Sequence, residues 1–225
     1  KKQKSVMITY AVFGANGGIG HACCKVLAKH NIHADQFTRD HLDFEDTDAV
    51  SKFDLSGYSH IINATGTTIG TYQGFLKNDP ENIVKQITVN LTNNLLLLKN
   101  FINQNLHGHY TWIGSIVSET PRPFHSVYGC TKLASTFATK LISQEAVNFK
   151  ITEVRLGLTA TNFRYTNYNG SKTKAQVDEE YANANAMDAD YCATKIVNGI
   201  FENQTLIEIN ESSYLQVTST TSRIR

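Results

Sequence analysis

The sequence predicts an α/β protein in which a doubly wound parallel sheet lies between two layers of helices, a three-layer αβα single domain over residues 1–225. Three observations support this fold class. Strand-like and helix-like segments alternate along the chain. The strands are continuously apolar, as expected for strands covered by helices on both faces. The glycine-rich turn "FGANGGIG" joins the first strand directly to the first helix.

The first half of the chain alternates β-rich runs with segments whose apolar residues recur at helical spacing. The helix after the glycine turn has such residues at Ile19, Cys23 and Val26, and Asn31 is a plausible end. The next helix begins with acidic residues, which stabilise a helix N-terminus. We predict strands over 6–15, 32–38, 41–44 and 59–66, and helices over 18–31 and 45–53.

The second half of the chain continues this alternation after one long helical tract over residues 79–105. Asp79 is a good N-cap, and Pro80 suits the first helical position because its missing N–H costs nothing there. Residues 159–187 follow no regular pattern and are rich in Asn, Thr, Tyr and Gly, so we predict a substrate loop or lid. The remaining predictions are strands over 109–116, 150–157 and 205–210, and helices over 126–148 and 188–201.

Composition argues against several classes of protein. The net charge of +1 provides no dedicated basic surface for nucleic acid, and no apolar run reaches the ~20 residues that span a bilayer. Cys23, Cys24, Cys130 and Cys192 have neither CxxC nor metal-ligand spacing. We therefore expect a cytoplasmic protein with reduced thiols, no metal site, and no nucleic-acid or membrane partner.

The turn "FGANGGIG" carries the first functional signal. Gly14, Gly18 and Gly20 lie where a strand turns sharply into a helix, and positions without a Cβ permit both the turn and the close approach of a pyrophosphate. The helix N-terminus would offer its free N–H groups and positive dipole end to the phosphates. The turn therefore indicates a Rossmann-type dinucleotide site, and a tight turn without a ligand is the alternative.

The end of the second predicted strand bears on the choice of dinucleotide. An acidic side chain there would bind the free ribose 2′-hydroxyl of NAD, whereas an arginine accommodates the 2′-phosphate of NADP. Arg39 comes first and Asp40 follows it. NADP is therefore favoured and NAD is the alternative, while a third interpretation leaves Arg39 as a solvated loop charge.

The ordered motifs between about residues 6 and 161 resemble those of the short-chain dehydrogenase/reductase family. They are the glycine turn, Asp43 in "LDFED", Asn63 and Ala64 in "NATG", Asn90 in "TVNLT", Ser115 in "IGSIVS", and the YxxxK pair Tyr128 and Lys132. The chain also departs from the family pattern. Thr65 stands where glycine is usual, Leu156 replaces the usual proline, and no long helix separates the second and third strands.

The resemblance implies the residues of the site. The catalytic group would comprise Asn90, Ser115, Tyr128 and Lys132, with Asn90 holding a water that relays protons to Lys132. The cofactor would be held by the glycine turn, the strand ends and the YxxxK pair, namely Gly14, Asn16, Gly18, Ile19, Gly20, Arg39, Asp43, Asn63, Ala64, Tyr128, Lys132, Thr159 and Thr161.

The YxxxK pair has a physical rationale of its own. Residues four apart on a helix share a face, so Tyr128 and Lys132 would point into one cleft. A nearby ammonium would lower the tyrosine pKa from its usual ~10 and tune the phenol for acid–base catalysis. In ketone reduction Tyr128 would protonate the oxygen that Ser115 holds, while NADPH delivers hydride to the carbon. We therefore predict an NADP-dependent enzyme that interconverts a carbonyl and an alcohol.

Two other functions stay open at this point. One is a non-catalytic NADP(H)-sensing or scaffold protein on the same fold, and the other is a nucleotide-sugar epimerase or dehydratase. Uncharged polar residues suggest a hydroxylated substrate, such as a sugar derivative: Thr67, Thr68, Asn162, Asn167 and Asn169. Phe163, Tyr165 and Tyr168 would line its pocket or form a loop or subunit contact.

Assembly is a further expectation. Apolar residues lie on several sides of the two long predicted helices, over 79–105 and 126–148, which fits burial on more than one face. The family pairs such helices across two-fold axes, so the resemblance implies a homodimer or homotetramer.

Overall fold

Six parallel strands form the sheet at the centre of the protein. The computed structural model describes residues 8–168 and 172–211, and within these ranges the strand order is β2-β1-β3-β4-β5-β6. Every neighbouring pair is parallel. The strands are β1 (Tyr10–Phe13), β2 (Ala34–Phe37), β3 (His60–Asn63), β4 (Gly108–Ile113), β5 (Phe149–Leu156) and β6 (Leu206–Ile209).

Helices cover both faces of the sheet. Because successive side chains of a strand point to opposite faces, Val12 enters one core and Phe13 enters the other. The first core is completed by α1 (Gly18–Lys29) and α8 (Ala189–Phe201). The second is completed by α2 (Thr47–Lys52), α4 (Asn93–Gln104) and α5 (Ser126–Glu145). The predicted three-layer αβα architecture is confirmed.

The long helical tract is interrupted by a change of helix type. It consists of α3 (Pro80–Ile87), one π-helical turn (Thr88–Thr92) and α4. Asp79 takes the N-cap position and Pro80 the first helical position, as predicted, although the Asp79 side chain makes no capping hydrogen bond among the described residues. Single π-turns inside α-helices are frequent at functional sites, and this one contains Asn90.

The predicted strand over residues 41–44 is a turn. The N–H groups of His41 and Leu42 both donate to the Thr38 carbonyl at 3.1 Å, which curls the chain back toward the sheet. Leu42 and Phe44 are buried in the second core, so their apolar character reflects burial and not strand pairing. Residues 6 and 7 of the predicted first strand lie outside the described residues.

The predicted irregular segment 159–187 contains two helices, which corrects the loop prediction. They are α6 (Phe163–Asn167) and α7 (Lys174–Asn183), and α7 begins with a capping box between Thr173 and Gln176. The two ends of the segment are held together, because the N–H of Ala160 donates to the Met187 carbonyl at 2.9 Å. The sequence did not predict these helices, because the segment has few apolar residues to mark their buried faces.

The other predicted elements are present with shifted ends. Helix α5 ends at Glu145, before the predicted end at residue 148, and α8 begins one residue after Asp188, which caps it through the Tyr191 N–H. Within the described ranges, no helix combines the length and the apolar character that crossing a membrane requires.

Candidate active site

A cavity of about 500 Å³ opens at the carboxyl ends of the strands. It lies where the strand order reverses, because β2 and β3 flank β1 on opposite sides. Open α/β sheets bind their ligands at such a switch point. The glycine turn lines one end of the cavity, and Ser115 and Tyr128 line the other.

The backbone of the glycine turn is packed so closely against neighbouring backbone atoms that a side chain would not fit. Gly14 has φ of +74°, and a Cβ added there would lie 2.9 Å from the Ala64 carbonyl oxygen. A Cβ on Gly20 would lie 2.2 Å from the Gly14 oxygen, and Gly17 N–H already donates to that oxygen at 2.9 Å. The turn therefore requires glycine on steric grounds alone, as the sequence predicted.

Helix α1 presents its N-terminus to the cavity. It begins at Gly18 after the extended Gly17, with neither a side-chain cap nor an acidic residue in its first turn. Thr161 closes the other side, since a Cβ on Gly18 would lie 2.4 Å from the Thr161 methyl carbon. Exposed N–H groups, a positive helix end and a glycine wall without side chains fit the diphosphate of a dinucleotide.

Arg39 and Asp43 line the cavity beyond the end of β2, and Asp40 does not. Arg39 Nε lies 3.8 Å from Asp43 Oδ1, and its Nη2 lies 3.5 Å from Glu45 Oε1. The Arg39 side chain remains 64% exposed, so these ion pairs hold it weakly and leave it accessible to a ligand.

Asn63 and Ala64 follow β3 and have different environments. Ala64 lines the cavity and supports Gly14. The Asn63 side chain is fully buried, and its Nδ2 donates to Asn94 Oδ1 and to Tyr110 Oη, both at 2.7 Å. Its Oδ1 accepts from Thr65 Oγ1 at 2.7 Å. Asn63 thus fixes the strand end and does not line the cavity, which corrects its predicted cofactor contact.

Ser115 and Tyr128 form the polar centre of the other end. Ser115 follows β4, and its Oγ accepts a hydrogen bond from Val117 N–H at 3.4 Å. Burial raises the pKa of the Tyr128 phenol well above its usual range, while the hydrogen bond with Ser115 acts in the opposite direction. The predicted lowering of this pKa by Lys132 is therefore wrong for the protein alone. At neutral pH the phenol is protonated, as a proton donor must be.

Lys132 lies one turn further along α5. Its Nζ is 5.6 Å from the centre of the Tyr128 ring and donates to the Ile113 carbonyl at 3.0 Å. The side chain is buried, and burial lowers the pKa of its ammonium to about 8. Tyr128 and Lys132 thus share one face of the helix, as their spacing predicted.

Asn90 lies behind the cavity and does not line it. Its Oδ1 accepts from Thr67 N–H at 2.7 Å, and its Nδ2 donates to the Thr67 carbonyl at 2.8 Å and to Thr131 Oγ1 at 3.3 Å. A Cβ on Gly66 would lie 3.4 Å from Asn90 Oδ1 and 3.8 Å from Lys132 Nζ, so Gly66 leaves open the space between them. The Asn90 amide therefore connects Thr67 to the π-helical turn.

Most of the predicted site residues converge on this single cavity. Those that line it are Gly14, Asn16, Gly18, Ile19, Gly20, Arg39, Asp43, Ala64, Ser115, Tyr128, Lys132, Thr159 and Thr161. Thr159 is buried, with its hydroxyl 3.1 Å from the Gly157 carbonyl. Among the described residues, no cluster of three His, Cys, Asp or Glu side chains is arranged to hold a metal ion.

Several lining residues were not predicted from the sequence. Tyr72, Arg122, Arg164 and Tyr181 line the Tyr128 end of the cavity. They come from three separate segments of the chain, and no spacing or motif marks them. His125 is the residue immediately before α5 and also lines this end, where its ring centre is 6.2 Å from that of Tyr128.

The fold can be compared with known proteins. Neither a family model nor a curated protein matches the chain. A serine dehydrogenase complexed with NADP+ superimposes with a TM-score of 0.77 at 16% identity, covering 97% of this chain and 98% of that one. A small-chain dehydrogenase in complex with NADPH superimposes with a TM-score of 0.76 at 18% identity, covering 92% of this chain and 99% of that one. A short-chain dehydrogenase from Sphingobium yanoikuyae in complex with NADPH superimposes with a TM-score of 0.70 at 17% identity, covering 97% of this chain and 98% of that one.

These similarities extend over nearly the whole length of each protein. The chain therefore has the fold of the short-chain dehydrogenases, within the Rossmann-type α/β class. At 16% to 18% identity the comparison establishes the fold alone.

Proposed function

We propose that the protein is an NADP(H)-dependent oxidoreductase of the short-chain dehydrogenase/reductase family that interconverts a carbonyl and an alcohol. One observation carries the proposal: Ser115, Tyr128 and Lys132 lie in the same cavity as a glycine turn that fits a diphosphate. The cavity thus combines a dinucleotide cradle with a proton donor and a hydrogen-bonding hydroxyl, which hydride chemistry at a carbonyl requires.

The glycine turn and the N-terminus of α1 would hold the diphosphate, with Thr159 and Thr161 on the opposite wall. When bound, the nicotinamide supplies or accepts the hydride. Ser115 would hold the substrate oxygen by a hydrogen bond, and Tyr128 would transfer its phenolic proton to that oxygen during reduction. The buried Lys132 ammonium would donate hydrogen bonds to the cofactor ribose and favour the phenolate that remains.

The preference for NADP rests on Arg39. Arg39 lines the cavity where the adenosine end of a dinucleotide would lie, and Asp40 is not among the lining residues. A guanidinium suits a 2′-phosphate because it can donate two parallel hydrogen bonds to it. The three dehydrogenase structures compared above carry NADPH or NADP+, which supports the same choice.

Calorimetric titration with NADPH and NADH tests this proposal. We expect NADPH to bind more tightly than NADH, and Arg39→Ala to weaken NADPH about 10-fold while NADH changes less than about 2-fold. Lys52→Ala, which removes an exposed charge from α2, is the matched control and should leave both affinities unchanged. Binding of neither dinucleotide to the wild type would contradict the proposal.

The substrate would be a small carbonyl compound or alcohol. Thr68 and Asn162 line the cavity and support a hydroxylated compound, such as a sugar derivative. A screen of hydroxylated and unsubstituted carbonyl compounds, monitored by NADPH oxidation, tests this preference. Equal turnover of the two groups would remove it.

We also propose a homodimer or homotetramer that pairs through α5, as the resemblance to the short-chain dehydrogenase/reductase family implies. Leu133, Phe137 and Leu141 are exposed on this helix and recur at four-residue spacing along one side. Light scattering should report a multiple of the chain mass, and a monomer at micromolar concentration would contradict the proposal. The four cysteines carry free thiols, which supports a cytoplasmic location that cell fractionation can test.

A further inference from the structure

An ion pair is buried on strand β5, outside the cavity. Glu153 and Arg155 are two residues apart on this strand, so their side chains point to the same face of the sheet. Arg155 Nε donates to Glu153 Oε1 at 3.0 Å, and Nη2 donates to Oε2 at 3.4 Å. Each residue is only 6% exposed, and neither lines the cavity. The guanidinium and the carboxylate are therefore held to each other by two hydrogen bonds inside the protein.

Stability alone does not account for a buried ion pair. Withdrawing two charges from water is costly, and replacing such a pair by well-packed apolar residues is often neutral or stabilising. A buried pair can instead specify one arrangement of the structural elements that it joins. The elements that Glu153 and Arg155 contact are therefore informative about the role of the pair.

Arg155 holds the loop that carries Ser115. Its Nη1 lies 2.5 Å from Glu119 Oε1, and Glu119 is the C-cap residue of the short 3-10 helix that begins directly after Ser115. One residue before Ser115, the Gly114 N–H donates to the Val154 carbonyl at 2.7 Å. Contacts with two consecutive residues of β5 thus anchor the loop on both sides of Ser115.

Glu153 holds the helix that carries Tyr128. Thr136 Oγ1 donates a short hydrogen bond to Glu153 Oε1, and both side chains are buried. Tyr128, Lys132 and Thr136 follow one another at four-residue intervals, so they lie along one face of α5. The bond from Thr136 to Glu153 therefore fixes the same face of α5 that presents Tyr128 to the cavity.

We propose that this buried ion pair positions Ser115 and Tyr128 relative to each other for proton transfer to a substrate oxygen, an inference that rests on the proposed function. The pair is bonded at one end to the loop of Ser115 and at the other end to the helix of Tyr128. The two hydroxyl groups share a hydrogen bond, whose length depends on the spacing of loop and helix. Catalysis is sensitive to such spacing, because a displacement of about 1 Å can cost about 100-fold in rate.

Two carboxylates beside Arg155 provide a matched test at the loop. The side chains of Glu119 and Glu208 are each 54% exposed and lie 2.5 and 3.8 Å from Nη1. Glu119 follows Ser115 in the loop, whereas Glu208 is on β6. Glu119→Ala should lower kcat about 3- to 30-fold with NADPH affinity within about 2-fold, and Glu208→Ala should keep both within about 2-fold. Turnover is followed by NADPH oxidation with dihydroxyacetone as the carbonyl probe, and equal kcat in the two variants would overturn the proposal.

A conservative variant separates the loss of the contact from the loss of the charge. Glu119→Gln removes the negative charge but keeps an oxygen that can accept a hydrogen bond from Arg155. This variant should therefore restore kcat to within about 3-fold of the wild type. A loss as large as that of Glu119→Ala would overturn the positioning role, because the charge and not the contact would then determine the rate.

The helix end of the pair is tested by two substitutions of similar shape. Thr136→Val removes the hydroxyl that bonds to Glu153, and Thr139→Val removes a buried hydroxyl that donates to the Thr136 carbonyl at 2.9 Å. We expect kcat to fall about 3- to 30-fold in Thr136→Val and to stay within about 2-fold in Thr139→Val. Thermal unfolding first shows that both variants fold. Equal losses of kcat would indicate a general loss of helix packing and overturn the proposal.

Crystal structures of the wild type, Glu119→Ala and Glu208→Ala separate this inference from the proposed function. We expect Ser115 to move about 1 Å away from Tyr128 in Glu119→Ala and to keep its place in Glu208→Ala. Such a movement would support the positioning role even if the wild type reduced no carbonyl compound, which would count against the proposed function alone. An unmoved Ser115 in an NADPH-dependent enzyme would overturn the positioning role and leave the oxidoreductase standing.

Discussion

The two ends of the cavity are built in different ways. The glycine end is formed by backbone, with Gly14 and Gly20 so closely packed that a Cβ would meet a carbonyl oxygen at 2.9 or 2.2 Å. The Tyr128 end is formed by side chains from distant segments, including Tyr72, Arg122 and Arg164. The first end therefore has a shape that single substitutions destroy. At the Tyr128 end, a single substitution changes the polarity or charge of the wall without changing the backbone. Substrate specificity would therefore be set at this end.

The largest expected effect is the loss of the proton donor at the second end. Tyr128→Phe keeps the ring that packs against His125 and Phe163 but removes the hydroxyl that bonds to Ser115. We expect kcat to fall about 10²- to 10⁴-fold with NADPH affinity nearly unchanged, because only the acid–base step is lost. Steady-state NADPH oxidation and a parallel titration provide the measurement.

The matched control for that substitution is Tyr58→Phe. The Tyr58 hydroxyl donates to Asp35 at 2.7 Å, at a site that does not line the cavity. The Tyr58→Phe variant should retain wild-type turnover within about 2-fold, as expected for a change outside the cavity. If Tyr128→Phe kept full turnover, Tyr128 would have no catalytic role.

The second prediction probes the backbone end. Gly20→Ala would place a Cβ 2.2 Å from the Gly14 oxygen, so the turn must shift. We expect the free energy of unfolding to fall by about 1–3 kcal/mol and NADPH binding to be lost. Gly57→Ala is the control, since among the described residues a Cβ there meets no atom within 4 Å. Urea unfolding that gave both variants the same stability would show that the turn tolerates side chains.

The glycine end could largely be predicted from the sequence, and the reason is local. Strand β1, the turn and α1 are contiguous, so the steric demand for Gly14, Gly18 and Gly20 is expressed over a few residues. The YxxxK pair was predictable for the same reason, because helical spacing alone aligns Tyr128 with Lys132.

The second end could not be predicted, because its residues are joined only by the fold. Arg164 contacts Tyr72 across a sequence separation of 92 residues. Asn63 shows the opposite failure: its motif predicted a cofactor contact, whereas its amide is used to bond Asn94 and Tyr110 in the core. Local sequence therefore indicates which residue types are present, but not which of them face the cavity.

The third prediction concerns pH and links the two ends through Lys132. Burial lowers the pKa of its ammonium to about 8, so the positive charge is present below that pH and is lost above it. NADPH affinity should therefore be constant between pH 6.5 and 7.5 and fall about 10-fold as pH rises through 8. Titrations across this range test the expectation. Lys132→Met should bind more weakly and show no inflection near pH 8, and an inflection that survives in it would assign the effect to another group.

The smallest expected effect comes from one hydroxyl of the side-chain end. Tyr72→Phe removes the acceptor of the Arg164 Nε–H but keeps the ring stacked on Tyr168 at 4.2 Å. We expect the free energy of unfolding to fall by about 0.5–1.5 kcal/mol and the substrate KM to rise a few-fold, with kcat preserved. Tyr191→Phe removes an exposed hydroxyl that bonds to Glu211 and should change the stability by less than about 0.5 kcal/mol. A drop in kcat alone would argue for a catalytic role of Tyr72.

A crystal structure of the protein grown with saturating NADP+ is the most direct test of the two-ended cavity. We expect the diphosphate at the glycine turn and the N-terminus of α1, the 2′-phosphate at Arg39, and the nicotinamide beside Lys132 and Tyr128. A dinucleotide bound outside this cavity, or reversed within it, would contradict the assignment of the two ends.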